Sequence, residues 1–261
     1  MNKNDLKSFS AVATHEVKEE ARVMALCVRE LYDAPIFLYC DPETQEFLSD
    51  IKNIQFKPLA TPEMLAILDD SLNVARPNKF HRPDCISLKM DCMQWAIRET
   101  GNTMFLDADV YLKKHIHKSI VSEVMLSPNY FKMSPAVNKH KFGVYNAGYV
   151  FACDQQFTEK WRDIYYTKSK FYEQEGMIYL LKDFDVEHFD KTHNVGFWRC
   201  KRHKVNWSPG GGMNEIMMEC DINWGEVKSI HGHLYPHCYK NCDPEQKKIY
   251  DKWREVFTPQ L

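Results

Sequence analysis

Thr103-Met104-Phe105-Leu106-Asp107-Ala108-Asp109-Val110-Tyr111-Leu112 is the stretch on which the reading of this chain turns. Thr103 to Leu106 is short and apolar, as a buried strand is, and two carboxylates follow directly beyond its carboxyl end. In open α/β sheets that is where ligands bind. Two carboxylates two residues apart can share or bridge a hard divalent cation, and Mg²⁺ or Mn²⁺ is typically held by a few carboxylates plus phosphate oxygens of a substrate. Asp-x-Asp is also a common surface tripeptide, and the chain supplies a control in Asp183-Phe184-Asp185. That second pair follows a helical pattern ending at Leu181-Lys182, so it reads as an exposed helix-to-strand turn. Only Asp107 and Asp109 have strand context.

Working outward, strands and helices alternate. Upstream, Ser8 to Ala13 reads as a strand, and Val17, Ala21, Met24, Val28 and Leu31 then recur at helical period. Pro35 to Cys40 is a buried strand ending at Asp41, and Ile54 to Leu59 is a third. Thr61-Pro62 starts a helix. Ile86, Met90, Met93 and Ile97 line one face of another, which ends near Gly101. Downstream, Tyr145 to Cys153 reads as a strand, Phe157, Trp161, Ile164 and Tyr165 as the apolar face of a helix, and Glu173 to Lys182 as helical. Val186 to Phe189 and Val227 to Ile230 are short strands. Asp243-Pro244-Glu245-Gln246 caps a last helix, and Gly210-Gly211-Gly212 marks a loop over Trp207 to Asn214. This alternation predicts an α/β chain with a largely parallel sheet.

The chain has 261 residues and no low-complexity tract, which predicts one large domain. Its 34 basic against 36 acidic residues leave a formal net charge of -2, which argues against general affinity for nucleic acid or an anionic membrane. With no apolar run long enough to span a bilayer and no secretory leader, the expectation is a cytoplasmic protein without a membrane span. All ten glycines lie at position 101 or later. That excludes an early GxGxxG turn, a P-loop and a kinase glycine loop. The nine cysteines are odd in number and scattered, as reduced thiols are. Cys200, His203, Cys220, His233, His237, Cys238 and Cys242 leave a zinc site conceivable, although no paired CxxC unit appears.

Phe105-Leu106-Asp107-Ala108-Asp109-Val110 resembles the DxD motif of nucleotide-sugar-dependent glycosyltransferases of the GT-A fold. Further likenesses follow in order: Lys89 on the preceding helix, Tyr145-Asn146-Ala147-Gly148, Glu173-Gln174-Glu175, Asn194-Val195-Gly196-Phe197, and His231 after Val227 to Ile230. The nearest likeness is to small retaining enzymes of the glycogenin and bacterial galactosyltransferase type. That group usually follows its metal-binding His with Gly and Lys-Pro-Trp, whereas this chain reads His231-Gly232-His233-Leu234-Tyr235-Pro236. The third ligand is therefore open between His231 and His233.

The resemblance implies a single GT-A-like, Rossmann-like domain with a mostly parallel mixed central sheet flanked by helices. Its nucleotide-binding half would span about 8–110, its acceptor half about 111–242 and a C-terminal helix 243–257. It implies Mn²⁺ or Mg²⁺ on Asp109 and His231, with Asp107 reaching the metal through water or contacting the donor ribose. The donor would be a nucleoside diphosphate sugar, a UDP-sugar first and a GDP-sugar second, and the acceptor a glycan or other hydroxyl. Lys89 would face the diphosphate, Asp41 the base, and Asn146 and Gly148 the sugar pocket. Glu173 would bond sugar hydroxyls and Gln174 would lie on the reactive face. Retention needs no protein base if the leaving phosphate takes the proton, while inversion would draw on Glu175, Asp190 or Glu215. Trp198, Trp207 and Trp224 are candidates for stacking on acceptor sugars. The competing readings are a sugar nucleotidyltransferase, which would need the missing early glycine loop, and a zinc-stabilised scaffold.

Overall fold

The structure is a computed structural model that describes residues 5–59, 83–116, 122–130, 143–169, 172–196, 199 and 222–232, with 244, 247, 251, 252 and 255 beyond them. The helix start at Thr61, the loop over 207–214, the Cys/His group from Cys200 to Cys242 and most of the C-terminal helix lie outside the described residues.

Strand β1 (Phe9–Ala13) leads through a 3-10 turn (His15–Val17) into α1 (Lys18–Leu31), and β2 (Ile36–Cys40) follows. The apolar stripe of α1 is buried, Glu19 and Glu20 lie in its first turn and Arg29 in its last, as the helix dipole favours. Next come α2 (Pro42–Phe47), β3 (Ile54–Pro58), α3 (Pro83–Thr100) and β4 (Thr103–Leu106). Asp41 is an N-cap with proline in the first helical turn, and the short helix α2, which the sequence pattern above does not include, follows from that pair. Beyond β4 lie β5 (Val110–Leu112), β6 (Val124–Pro128) and β7 (Tyr145–Ala152), then α4 (Gln155–Thr167) and a 3-10 helix (Glu173–Lys182). The short strands β8 (Val186–His188), β9 (Val195–Gly196) and β10 (Ser229–His231) complete the described elements.

Seven strands form one sheet in the order β3-β2-β1-β4-β7-β6-β8. Every neighbouring pair is parallel except those of β7, which runs against both β4 and β6. The mostly parallel mixed sheet expected from the sequence is what the chain forms. A second sheet, β5-β10-β9, stands beyond the carboxyl end of β4. Side chains alternate across the large sheet with period two. Phe9, Ala11, Ala13, Ile36, Leu38, Cys40, Met104 and Leu106 share a core with α1. Phe105, Val124, Leu126, Val150 and Ala152 pack on the opposite side with Met90, Met93 and Ile97 of α3 and Phe157, Trp161 and Ile164 of α4. Trp161 also donates its indole N–H to the Glu173 carbonyl (3.0 Å), which pins the 3-10 helix to α4. Asp183 and Asp185 are exposed in the turn before β8, as expected of the control pair.

A polar knot joins the end of β8 to β9. Asp190 accepts from the Thr192 hydroxyl and from its N–H (2.8 Å), contacts His193 Nδ1 (3.1 Å) and pairs with Lys228 (3.3 Å). His193, 2% exposed, packs beside Tyr149 and Phe189. Burial lowers its pKa to about 4, Lys228 adds to that, and Asp190 offsets it in part.

The native ring therefore refuses a proton that the unfolded chain accepts below about pH 6.5, so this contribution to stability is lost as pH falls from about 6.5 toward 4, up to ~3 kcal/mol. Urea melts across that window should show a shallower loss of stability for His193→Gln than for the unsubstituted chain; equal slopes would contradict the assignment.

Candidate active site

The carboxyl ends of β1 and β4 meet where the strand order reverses, and the Asp107 turn leaves the sheet there. Val110 N–H donates to the Asp107 carbonyl (3.0 Å), closing a tight turn that carries the chain from the large sheet into β5. Asp107 N–H donates in turn to the Gly148 carbonyl (2.9 Å), so β7 anchors the first aspartate. Antiparallel register sets His231 opposite Val110, and Gly232 N–H donates to the Asp109 carbonyl (2.7 Å). The small sheet thus delivers a distant histidine to the turn. Ligand-type atoms of Asp107, Asp109 and His231 all lie within 4.8 Å of one another, and among the described residues they form the one such group. His231 Nε2 is 3.1 Å from Asp109 Oδ1 and 3.8 Å from Asp107 Oδ2. Asp109 and His231 are buried, while Asp107 is partly open. His233, the alternative ligand, lies outside the described residues.

Lys89 is no ordinary solvated helix residue. Its ammonium sits 2.9 Å from Asp107 Oδ1 and 2.9 Å from Glu173 Oε1, bridging the turn and the 3-10 helix. Burial opposes its charge, but the two carboxylates outweigh that cost and raise its pKa. Glu173 is itself 6% exposed rather than solvated. Beside it, the Gln174 carboxamide oxygen faces Ala147 N–H at 3.4 Å, and Asn146 Oδ1 accepts from Gly148 N–H (2.9 Å). Of the expected site residues, Lys89 and Gly148 contact Asp107 directly, Glu173 is joined to it through Lys89, and Asn146 and Gln174 bond the backbone of β7 at Gly148 and Ala147.

Asp41 lies at the carboxyl end of β2, and its carboxylate caps α2 through Thr44 N–H (2.9 Å) and accepts from His15 N–H (2.6 Å). Burial raises its pKa, but those two amides outweigh it and hold the group below the ordinary carboxylate range. Asp190 is also held low, its partners in the polar knot outweighing its burial. One face of the Trp224 ring is covered by Lys113 Nζ, 3.3 Å from its centroid, while Trp198, Trp207 and Glu215 lie outside the described residues. Sequence reasoning assigned no role to Asn194. It is fully buried, its carboxamide oxygen lies 2.9 Å from His231 Nδ1, and its signal in the sequence was its place immediately before Val195-Gly196.

Gly148 has no room for a side chain. A Cβ there would overlap Asp107 Oδ2 and stand 2.7 Å from both Asp107 Cγ and His231 Cε1. Gly148→Ala should therefore cost about 1–3 kcal/mol of stability in urea denaturation, since Asp107 or His231 must move to admit the methyl group. An unchanged midpoint would show that the approach is looser than this.

No protein-family model and no curated protein matches the sequence. Solved structures do match in fold. Mouse xyloside xylosyltransferase 1 in its apo form superposes with a TM-score of 0.54 at 13% identity, over 88% of this chain and 98% of that one. An active-site mutant of LgtC gives 0.54 at 11% identity, over 96% of both chains. The apo WbbM bifunctional glycosyltransferase gives 0.54 at 11%, over 97% of this chain and 52% of its own. The architecture that gathers Asp107, Asp109 and His231 is thus the GT-A-like α/β fold of glycosyltransferases.

Proposed function

We propose that this chain is a metal-dependent glycosyltransferase that moves a sugar from a nucleoside diphosphate donor, a UDP-sugar in first place and a GDP-sugar in second, to a hydroxyl of a glycan or other acceptor. The observation that carries the reading is the Asp107, Asp109 and His231 group at the switch point of the sheet. Two features support the fit to a divalent cation. Among the described residues, Asp107, Asp109 and Glu173 bring three carboxylates into one partly buried region against the single ammonium of Lys89. Two oxygens and one imidazole nitrogen are also a donor set suited to Mn²⁺, with Mg²⁺ the alternative.

Asp109 and His231 would hold the ion directly, and Asp107 would meet it through water or contact the donor ribose. A divalent cation there would supply positive charge to the diphosphate as the sugar–oxygen bond breaks. Lys89, tied to Asp107 and Glu173, adds a fixed charge beside the phosphates and orients both carboxylates. Asp41, rigid as a helix cap, stands at the rim assigned to the base. Asn146 and Gly148 line the sugar pocket, where the bare Gly148 backbone permits close approach. Glu173 bonds sugar hydroxyls, and Gln174 faces the reactive side of the sugar ring. The donor belongs to the half spanning about 8–110 and the acceptor to about 111–242. Among the described residues no helix is long and apolar enough to cross a membrane.

Retention of configuration is the favoured course. Asp190, a candidate base for inversion, is held below the ordinary carboxylate range by Thr192, His193 and Lys228, and so is a weak proton acceptor. With retention, the departing phosphate takes the acceptor proton.

A thermal-shift panel of UDP, GDP, ADP and CDP, each with and without Mn²⁺, tests the donor site. One diphosphate should raise the melting temperature only with metal, and Asp109→Asn should abolish the shift. No stabilisation by any nucleotide would remove the main support for the transferase reading. Once a donor is identified, proton NMR of the first sugar product should show the donor's anomeric configuration; the opposite anomer would overturn retention.

A further inference from the structure

Asn194 occupies the junction between the two sheets, and each of its polar contacts is directional. It is fully buried and takes φ +52°, a left-handed conformation that asparagine tolerates better than most side chains. Its main-chain N–H donates to Ser229 Oγ (2.7 Å), on β10 two residues before His231. Its side-chain Nδ2 donates to Ser127 Oγ (3.1 Å), on β6 of the large sheet. The remaining atom, Oδ1, lies 2.9 Å from His231 Nδ1. A carboxamide oxygen only accepts, so His231 Nδ1 carries the hydrogen. In that tautomer the lone pair of Nε2 faces Asp109 Oδ1 and Asp107 Oδ2.

We infer that Asn194 is a positioning residue that fixes His231 in its Nδ1–H tautomer, with Nε2 aimed into the Asp107/Asp109 group, and that Ser127 and Ser229 fix Asn194 in turn. The opposite rotation of the carboxamide would donate to Nδ1, move the hydrogen to Nε2 and close that nitrogen to a cation. An acceptor is needed at this place, and a neutral one serves better than a carboxylate, because two aspartates already crowd the far side of the ring. The left-handed backbone narrows the choice further, since bulky and β-branched residues are strained there. The purpose of the device rests on the metal reading above; the tautomer does not.

The test separates the two. In the metal-free, nitrogen-15-labelled full chain at about pH 8.5, above the ordinary imidazole range, long-range proton–nitrogen correlation should show His231 with hydrogen on Nδ1. The signal is identified by its absence in His231→Gln. Hydrogen on Nε2 would overturn the inference, whatever the metal does. Mn²⁺ titration followed by electron paramagnetic resonance is the second readout. Asn194→Gly keeps the left-handed backbone but removes the acceptor, and should weaken Mn²⁺ binding roughly 10- to 100-fold. Asn194→Asp, which retains an acceptor, should stay within a few-fold of the unsubstituted chain. Undiminished binding in Asn194→Gly, or a loss in Asn194→Asp as large as in Asn194→Gly, would overturn the positioning role. If the unsubstituted chain binds Mn²⁺ no better than Asp109→Asn, the metal reading fails and the nitrogen spectrum alone decides the tautomer.

Discussion

Among the described residues three carboxylates crowd one partly buried region, Asp107 and Glu173 on the Lys89 ammonium and Asp109 beside Asp107, and the geometry of this molecule is organised around that crowding. Charges removed from water are costly unless paired and hydrogen-bonded. Lys89 meets part of the requirement by bridging Asp107 to Glu173, which fixes where α3 stands relative to the Asp107 turn and the 3-10 helix. His231 approaches Asp109 from the small sheet. Such an arrangement contributes little net stability, because desolvation offsets much of the attraction. It persists because the hydrophobic layers on both faces of the large sheet hold its members in place.

Those layers explain how residues far apart in sequence meet with atomic accuracy. Phe105 and Leu106 point to opposite faces, one toward α3 and α4 and the other toward α1, so β4 cannot shift register without exposing a core side chain. Asp107 inherits that rigidity through its N–H bond to Gly148, and Asp109 through the turn that follows. On the other side, Trp161 binds the Glu173 carbonyl from the centre of α4. The polar knot around Asp190 and His193 holds the chain just before Asn194. Packing thus supplies the precision and the polar contacts supply the direction.

Much of the architecture was legible because period and punctuation agree. The apolar run of β4 followed by Asp-x-Asp, the helical stripes of α1, α3 and α4, and the control pair at Asp183 and Asp185 all stand where local pattern puts them. Short elements were harder to read. Strands β5 and β6 have three and five residues and depend on partners far away in sequence, and α2 is announced only by its Asp-Pro start. The partial burial of Lys89 and the burial of Glu173 were hidden as well, since lysine and glutamate side chains are ordinarily solvated.

Residue type and spacing alone determined the α/β class and placed at a strand end a carboxylate pair of the kind that can hold a divalent cation. Local sequence carries that information because strand and helix periods and turn chemistry are short-range. Only the tertiary structure decided that His231 meets Asp109, that Lys89 bridges Asp107 to Glu173, that Asp41 caps a helix and that Asn194 stands behind the histidine ring. Each depends on strand register and on which helix covers which face, and these are set by burying apolar surface across the whole chain rather than by any residue's neighbours.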